Sequence, residues 1–325
     1  MRFCRGSLAL VMRPMRDREL PAPRLSVDDD RQRAGAPRSD DAPHVLSSAR
    51  YLAWLYSPES RQPVFAKLCE IESEIAGSLR PGIDHHVAHA RLQWWREECE
   101  RCAQGRPVHP LTRELVKAYG TVVGGQPSPL ASISGFVDTA VWDLAGATFE
   151  TRKELTAYCD RWAAAMFETA AAQGAASDRT GRVTGEGSHW RVLGAAVREI
   201  ELLADFVREA HVGRLRVPLD ELERAGVEVK SLAKPPWPAP LVTLMRDRHE
   251  ALRATIGESL GALGREQQAD FRGLLVWAAL AWKQSARAQR ALPNIVSPRR
   301  YHAFADGWLA WRAAHRAAAG KLRLS

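Results

Sequence analysis

From Val45 to the C-terminus, apolar residues recur at intervals of three and four, and this period limits the fold more than any other feature. Such a period places apolar side chains on one face of an α-helix, whereas a half-buried strand needs strict alternation. No alternating segment of useful length occurs, so the sequence predicts an all-α chain. The predicted helices span about 45–56, 60–79, 84–104, 110–120, 129–146, 151–173, 188–210, 219–225, 239–262, 266–290 and 298–318.

Several of these helices have clear start signals. Ser60 and Asp84 each precede a helical run, and Thr151 with Glu154 forms a capping box. The breaks between helices are short and rich in glycine or proline, and no repeat of fixed period is present. We therefore predict a single all-α domain over residues 45–325.

The first 44 residues have a different character. They contain five prolines, an acidic triplet at Asp28–Asp30 and no sustained apolar period, which predicts a disordered tail. The apolar run from Leu8 to Met12 is too short for a secretory signal. Acidic residues from Asp17 onward also argue against an organelle-targeting peptide, so a tail or a mis-called start is the favoured interpretation.

Composition excludes several classes of protein. The chain has 325 residues, of which 46% are hydrophobic, which is enough to bury a large core. No run of about 18 apolar residues occurs, and five scattered cysteines argue against a disulfide framework. These features predict a cytoplasmic protein. The net charge of +8 is only weak evidence for nucleic-acid binding, and a small anion or a membrane surface would fit it equally well. We therefore do not expect nucleic acid as a partner.

Two motifs that suggest metal binding have simpler interpretations. His85 and His89 are one helical turn apart, but no third ligand with a matching spacing accompanies them. Cys99 and Cys102 form a lone pair inside a helical pattern, without the second pair that a zinc site needs. We interpret the histidines as part of a polar helix start and the cysteines as packing residues.

An acidic stripe lies on the helix predicted over 188–210. Glu201, Asp205 and Glu209 are spaced four residues apart and so share one face, opposite an apolar face. Carboxylates at this spacing repel one another unless a cation compensates. The stripe is either a solvated surface or a site where a hard cation such as Mg²⁺ bridges the protein and a diphosphate.

The sequence around this stripe resembles the second aspartate-rich region of the squalene/phytoene synthase family. The residues in register there are Leu193-Gly194, Asp205, Gly213-Arg214, Pro218 and Leu222. Further family-like segments are Ser60-Arg61-x-Pro63-Val64-Phe65-Ala66, Arg91-Leu92-Gln93-Trp94-Trp95-Arg96-Glu97, His109-Pro110, Asp143-Leu144, Phe149-Glu150-Thr151, Glu154-Leu155 and Tyr158-Cys159. The resemblance covers about 50–320 and is greatest to the branch that contains the mitochondrial complex I assembly factor.

This resemblance implies an all-α isoprenoid-synthase bundle around a central apolar cavity, with acidic motifs from two facing helices at its mouth. In active relatives, Mg²⁺ on these motifs grips a prenyl diphosphate, whose ionisation lets two prenyl chains condense head-to-head. The implied catalytic residues are Asp205, Glu209 and Tyr158, the implied substrate-binding residues are Arg61, Arg214 and Glu201, and the implied metal ligands are Glu70, Glu74, Asp205 and Glu209.

The chain also departs from the family pattern. The helix that should carry the first aspartate-rich motif contains no aspartate, although Glu70 and Glu74 have the right spacing. In the second motif Arg198, Glu201 and Arg208 replace the family's Gln, Asn and Glu. We therefore expect a degenerate member that binds a prenyl diphosphate or another isoprenoid lipid, or that serves as an assembly or scaffold protein with a protein partner. The alternative is an active Mg²⁺-dependent prenyltransferase. Peripheral membrane association is expected in either case, because the core is positively charged and such substrates are oily.

Overall fold

The computed structural model describes residues 48–80, 82–120, 128–146, 148–173, 186–211, 213–232, 236–294 and 303–324. All of them belong to one compact unit, which spans residues 38–325. The tail predicted over residues 1–44 lies outside the described residues. Within the described part every regular element is a helix, which confirms the predicted all-α class.

Fourteen α-helices lie in the described residues. They are α1 (Ser48–Tyr56), α2 (Gln62–Gly77), α3 (His85–Ala103), α4 (Pro110–Tyr119), α5 (Ser134–Leu144), α6 (Arg152–Ala163), α7 (Thr169–Ala172), α8 (Glu186–Ala204), α9 (Phe206–His211), α10 (Leu219–Arg224), α11 (Ala239–Ala262), α12 (Arg265–Asp270), α13 (Arg272–Ala291) and α14 (Ala303–Ala318). A single π-helical turn, Ala164–Glu168, joins α6 to α7, and 3₁₀ turns occupy Pro129–Ile133 and Val229–Ser231.

Two of the three predicted start signals are present as hydrogen bonds. The third is wrong, because α2 begins at Gln62 after Arg61 with no side-chain cap, and Ser60 is not its N-cap. The Asp84 carboxylate accepts from the backbone N–H of His86 at 2.8 Å, which caps α3. Thr151 and Glu154 form the predicted capping box of α6, in which the Glu154 carboxylate accepts from the backbone N–H of Thr151 at 3.4 Å. The same carboxylate also accepts from the backbone N–H of Glu150 at 2.7 Å. Local side-chain chemistry therefore fixes where these two helices begin.

Helices α8 and α13 lie at the centre of the packing. Helix α8 packs against α6, α11 and α13, while α13 also packs against α1 and α14. Every residue from Leu274 to Ala281 is buried, so this part of α13 is enclosed on all sides. Gly194 allows α8 to approach the π-helical turn closely, because a Cβ there would lie 2.8 Å from the Phe167 ring.

Two predicted helices are interrupted. The predicted helix over 188–210 divides into α8 and α9 at Asp205, and the predicted helix over 266–290 divides into α12 and α13 at Phe271. At Asp205 the backbone N–H lies 3.3 Å from the Glu201 carbonyl oxygen and 3.2 Å from that of Leu202. The Asp205 N–H is therefore shared between the carbonyl oxygens three and four residues earlier, and the regular hydrogen bonding of α8 ends there.

None of the described helices combines the length and the apolar character needed to cross a membrane. Four cysteines, Cys69, Cys99, Cys102 and Cys159, are buried free thiols. Burial raises the pKa of Cys99 and of Cys102 to about 12, which keeps both thiols protonated at neutral pH. This agrees with the interpretation of the Cys99/Cys102 pair as packing residues.

Candidate functional site

The acidic stripe continues past α8 into a turn that folds back on it. Gly213 has φ +79°, a left-handed conformation that glycine adopts without strain, and it reverses the chain after α9. The reversal brings the Arg216 guanidinium 3.2 Å from the Glu209 carboxylate and the Arg214 guanidinium 3.6 Å from it. Arg208 lies 3.0 Å from Asp205 and 3.4 Å from Glu209. Arginines therefore surround the end of the stripe.

Arg216 links this turn to α5 and α6. Its second guanidinium nitrogen donates to Asp143 at 2.8 Å, and the Tyr158 hydroxyl donates to the other oxygen of the same carboxylate at 3.0 Å. Burial raises the pKa of Tyr158 to about 12, so the hydroxyl stays protonated and acts as a donor. Asp143 thus accepts from both side chains.

Arg198 continues the chain of contacts along α8. Its guanidinium donates to the Tyr158 hydroxyl at 3.2 Å and lies 3.4 Å from the Glu201 carboxylate. Glu201 also accepts from the Trp277 indole N–H at 3.0 Å. Burial by itself would lower the pKa of Arg198, but the Tyr158 hydroxyl and the charges of Glu72 and Glu201 outweigh it and raise the pKa well above its ordinary value.

A further group of contacts joins α1 to α2. Arg50 grips both carboxylate oxygens of Glu72, and the Trp162 indole N–H donates to that carboxylate at 2.6 Å. Burial alone would raise the pKa of Glu72, yet the charges of Arg50 and Arg198 and the hydrogen bonds from Arg50 and Trp162 lower it below its ordinary value. The Arg50 guanidinium also lies 5.1 Å from the centre of the Trp277 ring. Glu72 is therefore held as an anion.

We call this set the arginine–carboxylate network. It comprises five arginines and five carboxylates, namely Arg50, Arg198, Arg208, Arg214, Arg216, Glu72, Asp143, Glu201, Asp205 and Glu209, joined by Tyr158, Trp162 and Trp277. With five guanidinium groups and five carboxylates, the formal charges of the network sum to zero. It extends from α1 and α2 through α8 to the turn after α9.

The structure brings together one part of the predicted site. Glu201, Asp205, Glu209, Tyr158 and Arg214 all belong to the network. Of these, Arg214 is the most exposed, with 41% of its side chain accessible, so it lies at the rim.

The other predicted residues lie elsewhere. Glu70 pairs with Lys67 at 2.9 Å, and Lys67 pairs in turn with Glu114 of α4. Glu74 is exposed and lines a hollow of about 280 Å³ between α2 and α3, together with Arg80, Arg91, Trp94 and Trp95 among others.

Arg61 also has contacts away from the network. Its guanidinium donates to the Gln173 carbonyl at 2.7 Å and stacks over the Phe271 ring, 3.9 Å from the ring centre. It lies 3.7 Å from the Asp270 carboxylate. The interactions of Arg61 therefore tie α2 to α7, α12 and the start of α13.

The network residues do not fit a shared magnesium ion in this arrangement. Within the described ranges, no group of three or more His, Cys, Asp or Glu side chains is placed to hold a metal ion. Glu72 of α2 pairs with Arg50, and Glu201 of α8 pairs with Arg198. Each of these arginines also interacts electrostatically with the other carboxylate. A guanidinium pairs with carboxylates through directed hydrogen bonds and stays charged, so it supplies the positive charge that a cation would bring.

Sequence reasoning missed Glu72 and Arg50, although the helical period carries a signal for both. Glu72 follows the buried Leu68 by four residues and precedes the buried Ile75 by three. Arg50 precedes the buried Trp54 by four residues in the same way. A charged residue at such a position lies on a buried face and therefore needs a partner of opposite charge.

The fold has counterparts among solved structures. A crystal structure of a dehydrosqualene synthase in complex with ligand is similar with a TM-score of 0.63 and 17% identity, covering 83% of this chain and 91% of that chain. Squalene synthase HpnC from Alicyclobacillus acidocaldarius is similar with a TM-score of 0.60 and 16% identity, covering 77% of this chain and 91% of that chain. These likenesses establish the fold as that of the squalene-synthase-like terpenoid synthases.

The family follows from the sequence. A family model described as squalene/phytoene synthase matches residues 44–304, which is most of the chain, and this protein therefore belongs to the squalene/phytoene synthase family. A presqualene diphosphate synthase from Sinorhizobium fredii is 27% identical over 186 residues, which are 56% of this chain. That match spans 62% of the relative's length, less than two thirds of it. The family membership predicted from the sequence motifs is therefore confirmed.

Proposed function

We propose that this protein is a non-catalytic member of its family, an assembly or scaffold protein rather than a prenyltransferase. The observation that carries the proposal is the pairing of Glu72 and Glu201 with Arg50 and Arg198 between α2 and α8. In the catalytic scheme that the family implies, carboxylates from two helices share metal ions that grip a diphosphate. Here protein cations neutralise the facing carboxylates.

The electrostatics of the network support this proposal. A site that ionises a diphosphate must present positive charge to the leaving oxygens. In the network each arginine is already directed at a carboxylate, and the charges balance. Releasing Arg50 or Arg198 toward a ligand would leave a buried carboxylate unpaired, which costs about 3–5 kcal/mol.

The positions of Glu70 and Glu74 support it as well. Both lie on α2 as the sequence predicts, but neither is part of the network: Glu70 pairs with Lys67, and Glu74 lies in the hollow beside α3. The carboxylate of α2 that does face α8 is Glu72, and it is committed to Arg50 and Trp162.

One observation favours the alternative, an active prenyltransferase. Glu209 pairs with Arg214 at the rim of the network, and the buried Tyr158 is connected to Glu209 through Asp143 and Arg216. The family resemblance assigns catalytic and substrate-binding roles to Tyr158, Glu209 and Arg214. For this alternative to hold, Asp205 and Glu209 must exchange Arg208 for a metal-bound diphosphate.

A direct assay separates the two proposals. The purified full-length protein is incubated with farnesyl or geranylgeranyl diphosphate and Mg²⁺, and released inorganic pyrophosphate is measured. We expect no release above that of a heat-denatured sample, while an unrelated active squalene synthase in parallel shows that the assay works. Pyrophosphate release that is lost in Asp205→Asn but kept in Glu70→Gln would overturn the proposal and establish the alternative.

Ligand, partner and location are part of the same proposal. We propose that an isoprenoid lipid or prenyl diphosphate binds at the exposed rim formed by Arg208 and Arg214, without turnover. Thermal shift with farnesyl thiodiphosphate tests this, since a ligand of the folded state raises the melting temperature. We further propose a cytoplasmic protein that acts with a protein partner; the four buried free thiols support a reducing compartment.

A further inference from the structure

The outer face of α14 presents large aromatic side chains to solvent. Phe304 is 90% exposed, Trp308 is 56% exposed and Trp311 is 41% exposed. Their spacing of four and three residues places all three on one side of the helix. Large apolar side chains grouped on a surface mark interaction sites far more often than single exposed ones do.

The inner face of the same helix carries mainly alanines, beside the half-buried Leu309. Ala310, Ala313, Ala314 and Ala317 are buried, and α14 packs on α1, α12 and α13. Asp306 is also buried and accepts from Arg287 of α13 at 2.7 Å. The usual arrangement of a surface helix, with its large apolar residues inside, is therefore reversed, and the close packing of the alanines holds the aromatic residues outside.

The rings of Trp308, Trp311 and His315 form a continuous row on the outer face. Trp308 stacks on Trp311 with ring centres 4.7 Å apart, and Trp311 lies against His315 at 4.4 Å. The His315 ring nitrogen Nδ1 is 3.0 Å from the Trp311 carbonyl oxygen, which fixes the end of the row. Because the rings are already ordered, a partner that contacts them meets a lower entropic cost.

The exposed charges of α14 itself and of the segment that follows it are positive. Arg312 and Arg316 are exposed on α14, and Lys321 and Arg323 are exposed just after it. The single acidic residue of α14 is the buried Asp306. The face thus combines tryptophan and phenylalanine with arginine, which is the composition of helices that lie at the interface between lipid headgroups and acyl chains.

We propose that the outer face of α14 docks this protein on the surface of an anionic lipid bilayer. Trp308, Trp311 and Phe304 enter the interfacial region, while Arg312 and Arg316 contact acidic headgroups. The charge of the face selects a bilayer over a second copy of the chain, since two such faces would bring like charges together. The inference is independent of whether the protein catalyses a reaction.

Sedimentation of the full-length protein with vesicles tests the inference. Vesicles of phosphatidylcholine alone are compared with vesicles containing 30% phosphatidylglycerol at low salt. We expect binding to the anionic vesicles, a loss of at least about tenfold in Trp308→Ala/Trp311→Ala, and a loss of about fivefold for each of Arg312→Gln and Arg316→Gln. High salt should weaken the contribution of the arginines to vesicle binding and leave the contribution of the aromatic side chains unchanged.

Matched controls separate this face from the rest of the surface. Trp94→Ala removes a tryptophan that is also 41% exposed, and Arg106→Gln lowers the net charge as much as either single arginine variant of α14 does. Both controls should bind as the unchanged protein does, with all variants showing the same helical circular dichroism. The inference fails if anionic vesicles do not sediment the protein, or if the α14 variants bind as well as the controls. It also fails if light scattering shows a dimer that Trp308→Ala/Trp311→Ala converts to a monomer.

Discussion

The Arg50–Glu72 pair should be strongly coupled in stability. Both side chains are largely buried, with exposed fractions of 14% and 13%, so solvent screening of the pair is small. Replacing either partner alone leaves the other charge in a poorly solvated site. We therefore expect Arg50→Met and Glu72→Leu each to lower the free energy of unfolding by about 3–5 kcal/mol.

The double variant Arg50→Met/Glu72→Leu should be far less damaging than the sum of the two single changes. It removes both charges together, and replacing a buried ion pair with apolar residues is often close to neutral. One loss remains, because the Trp162 indole N–H no longer has the Glu72 carboxylate as its acceptor. A buried donor without a partner costs about 1–3 kcal/mol, and we expect the double variant to be destabilised by about that amount.

Urea unfolding followed by circular dichroism measures the free energy of unfolding of the unchanged protein, the two single variants and the double variant. The change in the double variant minus the sum of the two single changes gives the coupling energy of the pair. We expect a coupling of several kcal/mol that favours the native pair. Arg224→Met/Asp220→Ala, an ion pair with an exposed arginine, is the control and should show a coupling of only about 0.3–0.5 kcal/mol. Additive effects in the Arg50/Glu72 cycle would refute the reasoning, because they would mean that the two charges do not depend on each other.

Two further predictions concern pH and packing. The pKa of Glu72 is lowered in the folded state, so its contribution to stability is present above the ordinary pKa of 4.5 and is lost as the pH falls below 4.5. The difference in unfolding free energy between the unchanged protein and Glu72→Gln should therefore shrink as the pH is lowered from 4.5. A difference that stays constant down to strongly acidic pH would contradict this. Gly194→Ala should destabilise the protein by about 1–3 kcal/mol, because the new Cβ would lie 2.8 Å from Phe167. The control is Gly261→Ala on α11, where an added Cβ would have no atom within 4 Å. Its melting temperature should be unchanged or slightly higher.

The sequence by itself determined the fold class and the positions of most helices. Helical periodicity and capping are local properties, so Asp84 and the Thr151/Glu154 box could be interpreted without knowledge of distant residues. The family motifs could be recognised for a related reason. Their spacing follows the surface of one helix and the turn after it, as in Leu193-Gly194 and Gly213-Arg214.

The tertiary structure decided which charged groups meet. The helical period places Glu72 of α2 on a buried face, but the sequence did not establish which charged side chain would meet it there, because that depends on how α2 packs against its neighbours. Glu72 was the residue that turned inward, and its partner Arg50 comes from a helix 22 residues earlier in the chain. Electrostatic pairing acts through space, and the period of a single helix carries no information about the charge on its neighbour.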